Sequence, residues 1–195
     1  RRVRLDEEAA LATVVAGMTV SLDGFVADAS GSARRLYTDL AELRQSAYMD
    51  ATIEETGAVL MGRRTFEMGD PDWYVGNYEF QVPIFVVTRH PPETPPKQDE
   101  RLTFTFVTDG VVSAVEQARA AAGDRAVQVV GGASTVQQLL RARLVDELRV
   151  DVMPVLLGGG IRLLENVDPE GVQLEKSDVE DLGPRTSLSF RVVGQ

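Results

Sequence analysis

The stretch Val127-Gln128-Val129-Val130-Gly131-Gly132-Ala133-Ser134-Thr135-Val136-Gln137-Gln138-Leu139-Leu140 reads as a strand, a glycine turn and the start of a helix. A short valine-rich run is what a strand buried on both faces needs. Two glycines let the backbone turn sharply and approach a ligand closely. Ser134 with Gln137, or Thr135 with Gln138, has capping-box spacing and marks the helix start. The opening amides of such a helix point outward with the positive end of the macrodipole behind them, which makes a cradle for a phosphate. The competing reading is a tight connection that binds nothing. The coincidence of strand, glycines and cap favours the cradle. No G-x-G-x-x-G pattern is present, so a dinucleotide would be held differently from the way doubly wound dehydrogenases hold it.

Working outward, strands and helices alternate up to about residue 145. Ala12–Val20 is an apolar, β-rich run followed by a glycine-containing loop at Leu22–Ala27. Asp39–Glu55 reads as a helix: Asp39 and Glu42 have capping-box spacing, and Gly57 stands at its end. Ala58–Met61 is a short buried strand running into a helical turn at Gly62-Arg63-Arg64-Thr65-Phe66-Glu67, and Asp70–Tyr78 is irregular. Pro83–Thr88 and Thr103–Val107 are strands, separated by the Pro91–Pro96 loop. A helix capped by Asp109 or Ser113 then runs through Ala122 to Gly123. After the Gly-Gly helix, which extends to about Arg143, only strands follow. Glu147–Met153 leads through Pro154 and Val155–Leu157 to a Gly158-Gly159-Gly160 turn. Leu188, Phe190 and Val192 alternate onto one face, as in an antiparallel hairpin. The order predicts a single three-layer α/β/α domain over residues 1–195, its mixed sheet ending in an antiparallel C-terminal hairpin.

Composition removes several functions. The chain has no cysteine and a single histidine, His90, so thiolate chemistry, His-based metal sites and triads are not expected, and no metal is predicted. Lys and Arg total 20 against 30 Asp and Glu, a net charge of −10. That excess repels nucleic acid and anionic membranes. Arginines cluster only as the pairs Arg34-Arg35 and Arg63-Arg64, with Arg89 beside His90, and such pairs suit a small phosphate ligand. No run approaches the ~20 apolar residues of a membrane span, and Arg1–Glu8 has no apolar signal core. A soluble, cytoplasmic protein is expected.

Three more strand ends carry chemistry. At Gly62-Arg63-Arg64-Thr65, glycine frees space, Arg63 can meet an anion and Thr65 can donate a hydroxyl; taken singly, a turn glycine with two solvated arginines is the slightly favoured reading. Thr88-Arg89 sets a hydroxyl beside a guanidinium, suited to a ribose-linked phosphate, although most strands end in polar residues. In Ser21-Leu22-Asp23-Gly24-Phe25-Val26-Ala27, Asp23 can sit at a cleft mouth and contact substrate or assist proton delivery; equally, Asp-Gly is an ordinary Asx turn. Trp73 and Tyr74 could stack on a flat substrate or pack under their own loop.

The ordered segments VSLDGFVA, VLMGRRTFE, VPIFVVTR, VQVVGGASTVQQLL and LVDELRVDVMPVLLGGGIRLLE resemble the dihydrofolate reductase-like superfamily. Within it they resemble the reductase domain of bacterial riboflavin biosynthesis and its stand-alone relatives, from about Val14 to Glu165. The resemblance implies a mixed sheet with NADPH bound across strand ends and a homodimer. It places Gly62, Arg63 and Thr65 in the phosphate region, Thr88 and Arg89 at the adenosine 2′-phosphate, and Gly131, Gly132, Ala133, Ser134 and Thr135 around the pyrophosphate. Asp23, Gly24 and Ala27 fall near the nicotinamide and substrate, with Asp23 as the catalytic candidate and Asp70 and Trp73 as further substrate contacts. The implied activity is an NADPH-dependent oxidoreductase acting on a heterocycle or ribosylamino-pyrimidine, similar to 5-amino-6-(5-phosphoribosylamino)uracil reductase. The alternatives are a dihydrofolate reductase and a non-catalytic nucleotide-binding protein. Two departures stand out. Met68-Gly69-Asp70-Pro71 occupies the place of the riboflavin reductases' Ala-Asp-x-Pro, and Asp39 and Glu42 lack the Trp and Pro pattern around the dihydrofolate reductase acid.

Overall fold

Alternation of valines and small residues builds the centre of the sheet. In the computed structural model, which describes residues 11–193, the first apolar run becomes β1 (Val14–Ser21). It leads through a tight turn to the short β2 (Phe25–Ala27). Helices α1 (Leu40–Arg44) and α2 (Ala47–Glu55) precede β3 (Thr56–Gly62), which is buried at every residue. Then come α3 (Arg63–Phe66), α4 (Tyr74–Asn77), β4 (Ile84–Val87), β5 (Phe104–Val107) and α5 (Val111–Ala122). The opening stretch forms β6 (Ala126–Val129) and α6 (Ala133–Arg141). The chain ends in β7 (Glu147–Met153), β8 (Ile161–Arg162), β9 (Gln173–Leu182) and β10 (Arg185–Val193). The N-terminal stretch Arg1–Glu8, read above for a signal core, lies outside the described residues.

Eight strands form one sheet in the order β5-β4-β3-β6-β1-β7-β10-β9, while β2 pairs with β8 alone. All contacts from β5 to β7 are parallel, and β10 is antiparallel to both β7 and β9. The predicted α/β architecture with an antiparallel C-terminal pair is what forms. Leu188 and Phe190 face the same way because their partners on β7, Val150 and Leu148, do.

Period-two alternation divides the core in two. Ala58 and Leu60 point into a cluster with Val115, Ala118, Val136 and Leu139 from α5 and α6. Val59 and Met61, on the same strand, point the other way, into a cluster with Phe66, Tyr74, Phe80 and Phe104 beneath α2, α3 and α4. Phe66 meets Phe104 and Phe106 edge-on at 5.4 and 5.3 Å, pairings worth about 0.5–1.5 kcal/mol each beyond the buried area.

Helix starts differ from the sequence reading in an instructive way. The helix expected over Asp39–Glu55 is two, broken at Gln45 and restarted by Ser46, whose hydroxyl accepts the Met49 N–H at 3.1 Å. Asp39 does stand at the head of α1, but its carboxylate makes no cap, because a buried arginine takes both of its oxygens. Helix α5 is likewise headed by Gly110, not by a side chain of Asp109 or Ser113, and ends at Gly123 as expected.

The topology creates one crevice. From the adjacent strands β3 and β6 the chain leaves in opposite directions: β3 runs through α3 and α4 to β4 over one face, and β6 through α6 to β7 over the other. Such a switch point at the carboxyl ends of parallel strands is where open α/β sheets bind their ligands.

Candidate active site

Two glycines from neighbouring strands meet at that crevice. The Gly62 N–H donates to the Gly131 carbonyl at 3.0 Å. Gly131 has a φ of 145°, and a Cβ there would stand 2.8 Å from the Thr65 hydroxyl oxygen. The same hydroxyl accepts the Gly132 N–H at 3.0 Å, so Thr65 braces the turn from the other side of the crevice. The room left by Gly62 is not open: a Cβ there would lie 2.5 Å from Thr135 Oγ1. Thr65 thus braces the turn, and Thr135 fills the space beside Gly62.

Gly132 is different. Its nearest neighbour to an added Cβ is Thr65 at 3.7 Å, an ordinary contact distance, so the side it presents is free. Gly132 is also the residue that heads α6, and no side chain caps the helix. The predicted capping box does not form. Ser134 Oγ instead lies within 3.2 Å of Gln138 Nε2, and the amides of Ala133 and Ser134 find no acceptor among the described residues. A nine-residue helix with its first donors unspent, behind a glycine turn, fits an anion such as a pyrophosphate.

Two strands away, at the end of β4, Arg89 is exposed and forms no ion pair among the described residues. Two strand spacings amount to about 10 Å. Thr88, expected to help it, is buried, and its hydroxyl is held by its own turn, donating to the His90 carbonyl and accepting the His90 N–H, both at 3.1 Å. Arg63 turns outward to Glu67 at 2.6 Å, an exposed pair that a ligand phosphate can replace at little cost.

On the other side of the crevice, Asp23 follows β1. Its carboxylate accepts Ser21 Oγ at 2.6 Å, Leu157 N–H at 3.1 Å and Gly158 N–H at 2.7 Å. The Ser21 hydroxyl, with those two amides, lowers its pKa to about 2. These bonds tie the segment after β7 across the end of β1. Gly160 packs so closely on Ala27 that a Cβ would come within 2.0 Å of the Ala27 carbonyl oxygen, and the Gln137 amide of α6 donates to the carbonyls of Arg162 and Leu163. Asp70 and Trp73 are not brought to this group. Asp70 accepts the Asp72 N–H at 3.0 Å on the β3-to-β4 crossover, and Asp72 accepts the Lys97 N–H from the loop beyond Arg89. Trp73 is 41% exposed there, edge-on to the buried Tyr74.

What the sequence reading missed is a buried charge cluster behind Asp23. Arg185, fully buried at the start of β10, grips both Asp39 oxygens at 2.8 and 2.6 Å. It also reaches Thr19 at 3.0 Å, Asp151 at 3.2 Å and the Leu36 carbonyl at 3.2 Å. Asp39 is held below the usual carboxylate range by these bonds. Tyr48 of α2 donates to Asp151 and accepts from Ser187, and burial pushes its hydroxyl up to about 12. The one signal in sequence was register: Thr19, Asp151 and Ser187 fall opposite one another on three neighbouring strands.

A family model for the RibD C-terminal domain matches residues 12–188. The chain belongs to that family. It is 29% identical to the riboflavin biosynthesis protein RibD of Mycobacterium tuberculosis over 180 residues, 87% of this chain and 51% of the relative. The chain therefore spans about half the length of that curated relative. It is also 27% identical to the uncharacterized protein YwjB of Bacillus subtilis, covering 89% of this chain and 94% of the other. Among solved structures, its fold matches a diaminohydroxyphosphoribosylaminopyrimidine deaminase/5-amino-6-(5-phosphoribosylamino)uracil reductase of Thermotoga maritima. There the TM-score is 0.68 at 18% identity, over 94% of this chain and 57% of that one. The riboflavin biosynthesis reductase Rib7 of Saccharomyces cerevisiae matches with a TM-score of 0.57 at 16% identity, over 98% and 94% of the two chains. This RibD-type domain carries the crevice between the third and fourth strands counted from its parallel edge, where β3 and β6 meet. No helix among the described residues is long and apolar enough to cross a membrane.

Proposed function

We propose that this chain is an NADPH-dependent reductase, acting on a ribosylamino-pyrimidine or a related planar heterocycle as its RibD-type relatives are named for doing. The observation that carries the reading is the interlocked Gly62–Gly131 crevice at the switch point, with the uncapped α6 amides beside it. Gly131, Gly132, Ala133 and Ser134 would hold the pyrophosphate, with Thr65 bracing the turn and Thr135 filling the space beside Gly62. Arg89 would take the adenosine 2′-phosphate alone, since the Thr88 hydroxyl is spent. Arg63 would pivot from Glu67 to the phosphates, and Asp70 and Trp73 would flank the adenosine side.

When bound, the nicotinamide supplies a hydride. The chain's own work is to hold and orient. Asp23 stays ionised to about pH 2 and accepts three hydrogen bonds, so its part is to anchor the Leu157–Gly160 segment beside Ala27 and the substrate end. It cannot serve as proton donor at neutral pH. A dihydrofolate reductase reading is disfavoured by Asp39, the acid nearest the required position, because Arg185 occupies both of its oxygens. A cytoplasmic homodimer completes the proposal. Supporting it, β9 is a ten-residue edge strand exposed along nearly all its length, carrying Leu174 and Val179.

Titration of NADPH and NADH tests the reading, with Arg89→Ala as control. NADPH is expected to bind more tightly by about tenfold or more, the worth of a charge-assisted contact, and Arg89→Ala to erase that preference. Equal affinities in the unaltered protein would contradict the 2′-phosphate assignment.

A further inference from the structure

We propose that Tyr37 is the surface on which the planar substrate stacks, held in place by the buried Arg185 cluster; this rests on the reductase reading above. Among the described Phe, Trp and Tyr residues, Trp73 and Tyr37 are the exposed ones, at 41% and 40%. Trp73 belongs to the β3-to-β4 crossover and packs edge-on against Tyr74. Tyr37 has no ring partner among the described residues, whereas Tyr74 and Tyr78 are locked into the aromatic core.

Its mounting is unusual for an exposed ring. The hydroxyl end is buried beside Thr19 and Arg185, and the Arg185 guanidinium carbon stands 5.8 Å from the ring centroid. Arg185 is itself fully buried and fastened to Asp39, Asp151, Thr19 and the Leu36 carbonyl. The residue is therefore gripped from within at its polar end and through its neighbour Leu36, and its exposed part faces out. A ring fixed this way meets a flat partner with little further loss of side-chain freedom.

Position supports the same role. The β1–β6 pairing ends at Ala16 and Val129, and Thr19 lies on the stretch of β1 that continues beyond it beside β7, at the same end of the sheet as the Gly131-Gly132 turn. Tyr37 sits over that Thr19, with Asp23 four residues further along the chain. A ligand whose phosphates rest on Gly131 and Gly132 would extend across the end of β1 towards the Tyr37 ring. Asp39 and Arg185 touch neither ligand in this arrangement; they are positioning residues.

The test compares the full chain with Tyr37→Ala and Tyr37→Phe. The readouts are steady-state reduction of 5-amino-6-(5-phosphoribosylamino)uracil and NADPH affinity by fluorescence. Loss of a stacking ring is expected to raise KM about five- to hundredfold in Tyr37→Ala, with kcat and NADPH affinity little changed. Tyr37→Phe, which keeps the ring but loses the hydroxyl's hold beside Thr19, is expected to raise KM far less than Tyr37→Ala. An unchanged KM in Tyr37→Ala, or equal damage in both variants, would overturn the stacking role while leaving the reductase reading in place. A parallel loss of NADPH affinity would make Tyr37 structural and overturn it too. An unaltered protein that binds NADPH but reduces neither the aminouracil nor a related planar heterocycle overturns the reductase reading, and this inference with it.

Discussion

The glycine crevice between β3 and β6 and the charge cluster between β1, β7 and β10 lie one strand apart and are built on opposite plans. The crevice removes side chains and leaves backbone donors unspent: Ala133 and Ser134 have no acceptor, and Gly132 has room beside it. The cluster fills its space with charge and spends it internally, every Arg185 nitrogen being engaged by Asp39, Asp151, Thr19 or Leu36. A region prepared for an external anion shows unused donors, and a region that consumes its own charges serves to hold neighbouring residues still. That difference is the ground for proposing that the first binds and the second positions.

The comparison breaks most visibly if the cluster is disturbed. Arg185→Met would leave two buried carboxylates facing each other without their cation. The expected loss is about 3–5 kcal/mol of unfolding free energy in urea, the range for breaking a buried pair by removing one partner. A loss below about 1 kcal/mol, the size of an exposed pair, would show that water already reaches Asp39 and Asp151. A smaller effect is expected at Asp23. Its pKa is lowered in the folded protein, so the ionised carboxylate stabilises the fold above the ordinary value of 3.8, and that contribution disappears as pH falls towards about 2. Asp23→Asn should thus lower the melting temperature at neutral pH, with the gap to the unaltered protein closing in acid. Because Asp23 carries no proton to give, the shape of the pH–rate profile between about pH 5 and about pH 9 should be the same in both. A limb that vanishes in Asp23→Asn would restore Asp23 as the catalytic acid.

Most of the frame was legible because it rests on local rules. Short continuous apolar runs announced β1, β3 and β6, and glycines after β6 announced the turn. The cap of α6 was misread because Ser134 and Thr135 are suited to capping, yet Thr135 turns to Gly62 and Ser134 lies a residue inside the helix. Thr88 was misread for the same reason: a hydroxyl in a turn satisfies its own backbone first. Arg185 was beyond local reading. Its partner Asp39 is 146 residues away, and only the strand register that sets Thr19 and Asp151 opposite each other brings them together.

The central claim is that the Gly131-Gly132 turn binds the cofactor. Gly132→Val tests it most directly, because an added Cβ meets nothing closer than 3.7 Å, so the new side chain enters the ligand's space and not the core. Calorimetric titration with NADPH should show an affinity loss of about a hundredfold or more, equivalent to about 2.8 kcal/mol, in a variant whose circular dichroism shows it folded. NADPH binding as tight as in the unaltered protein would contradict the account.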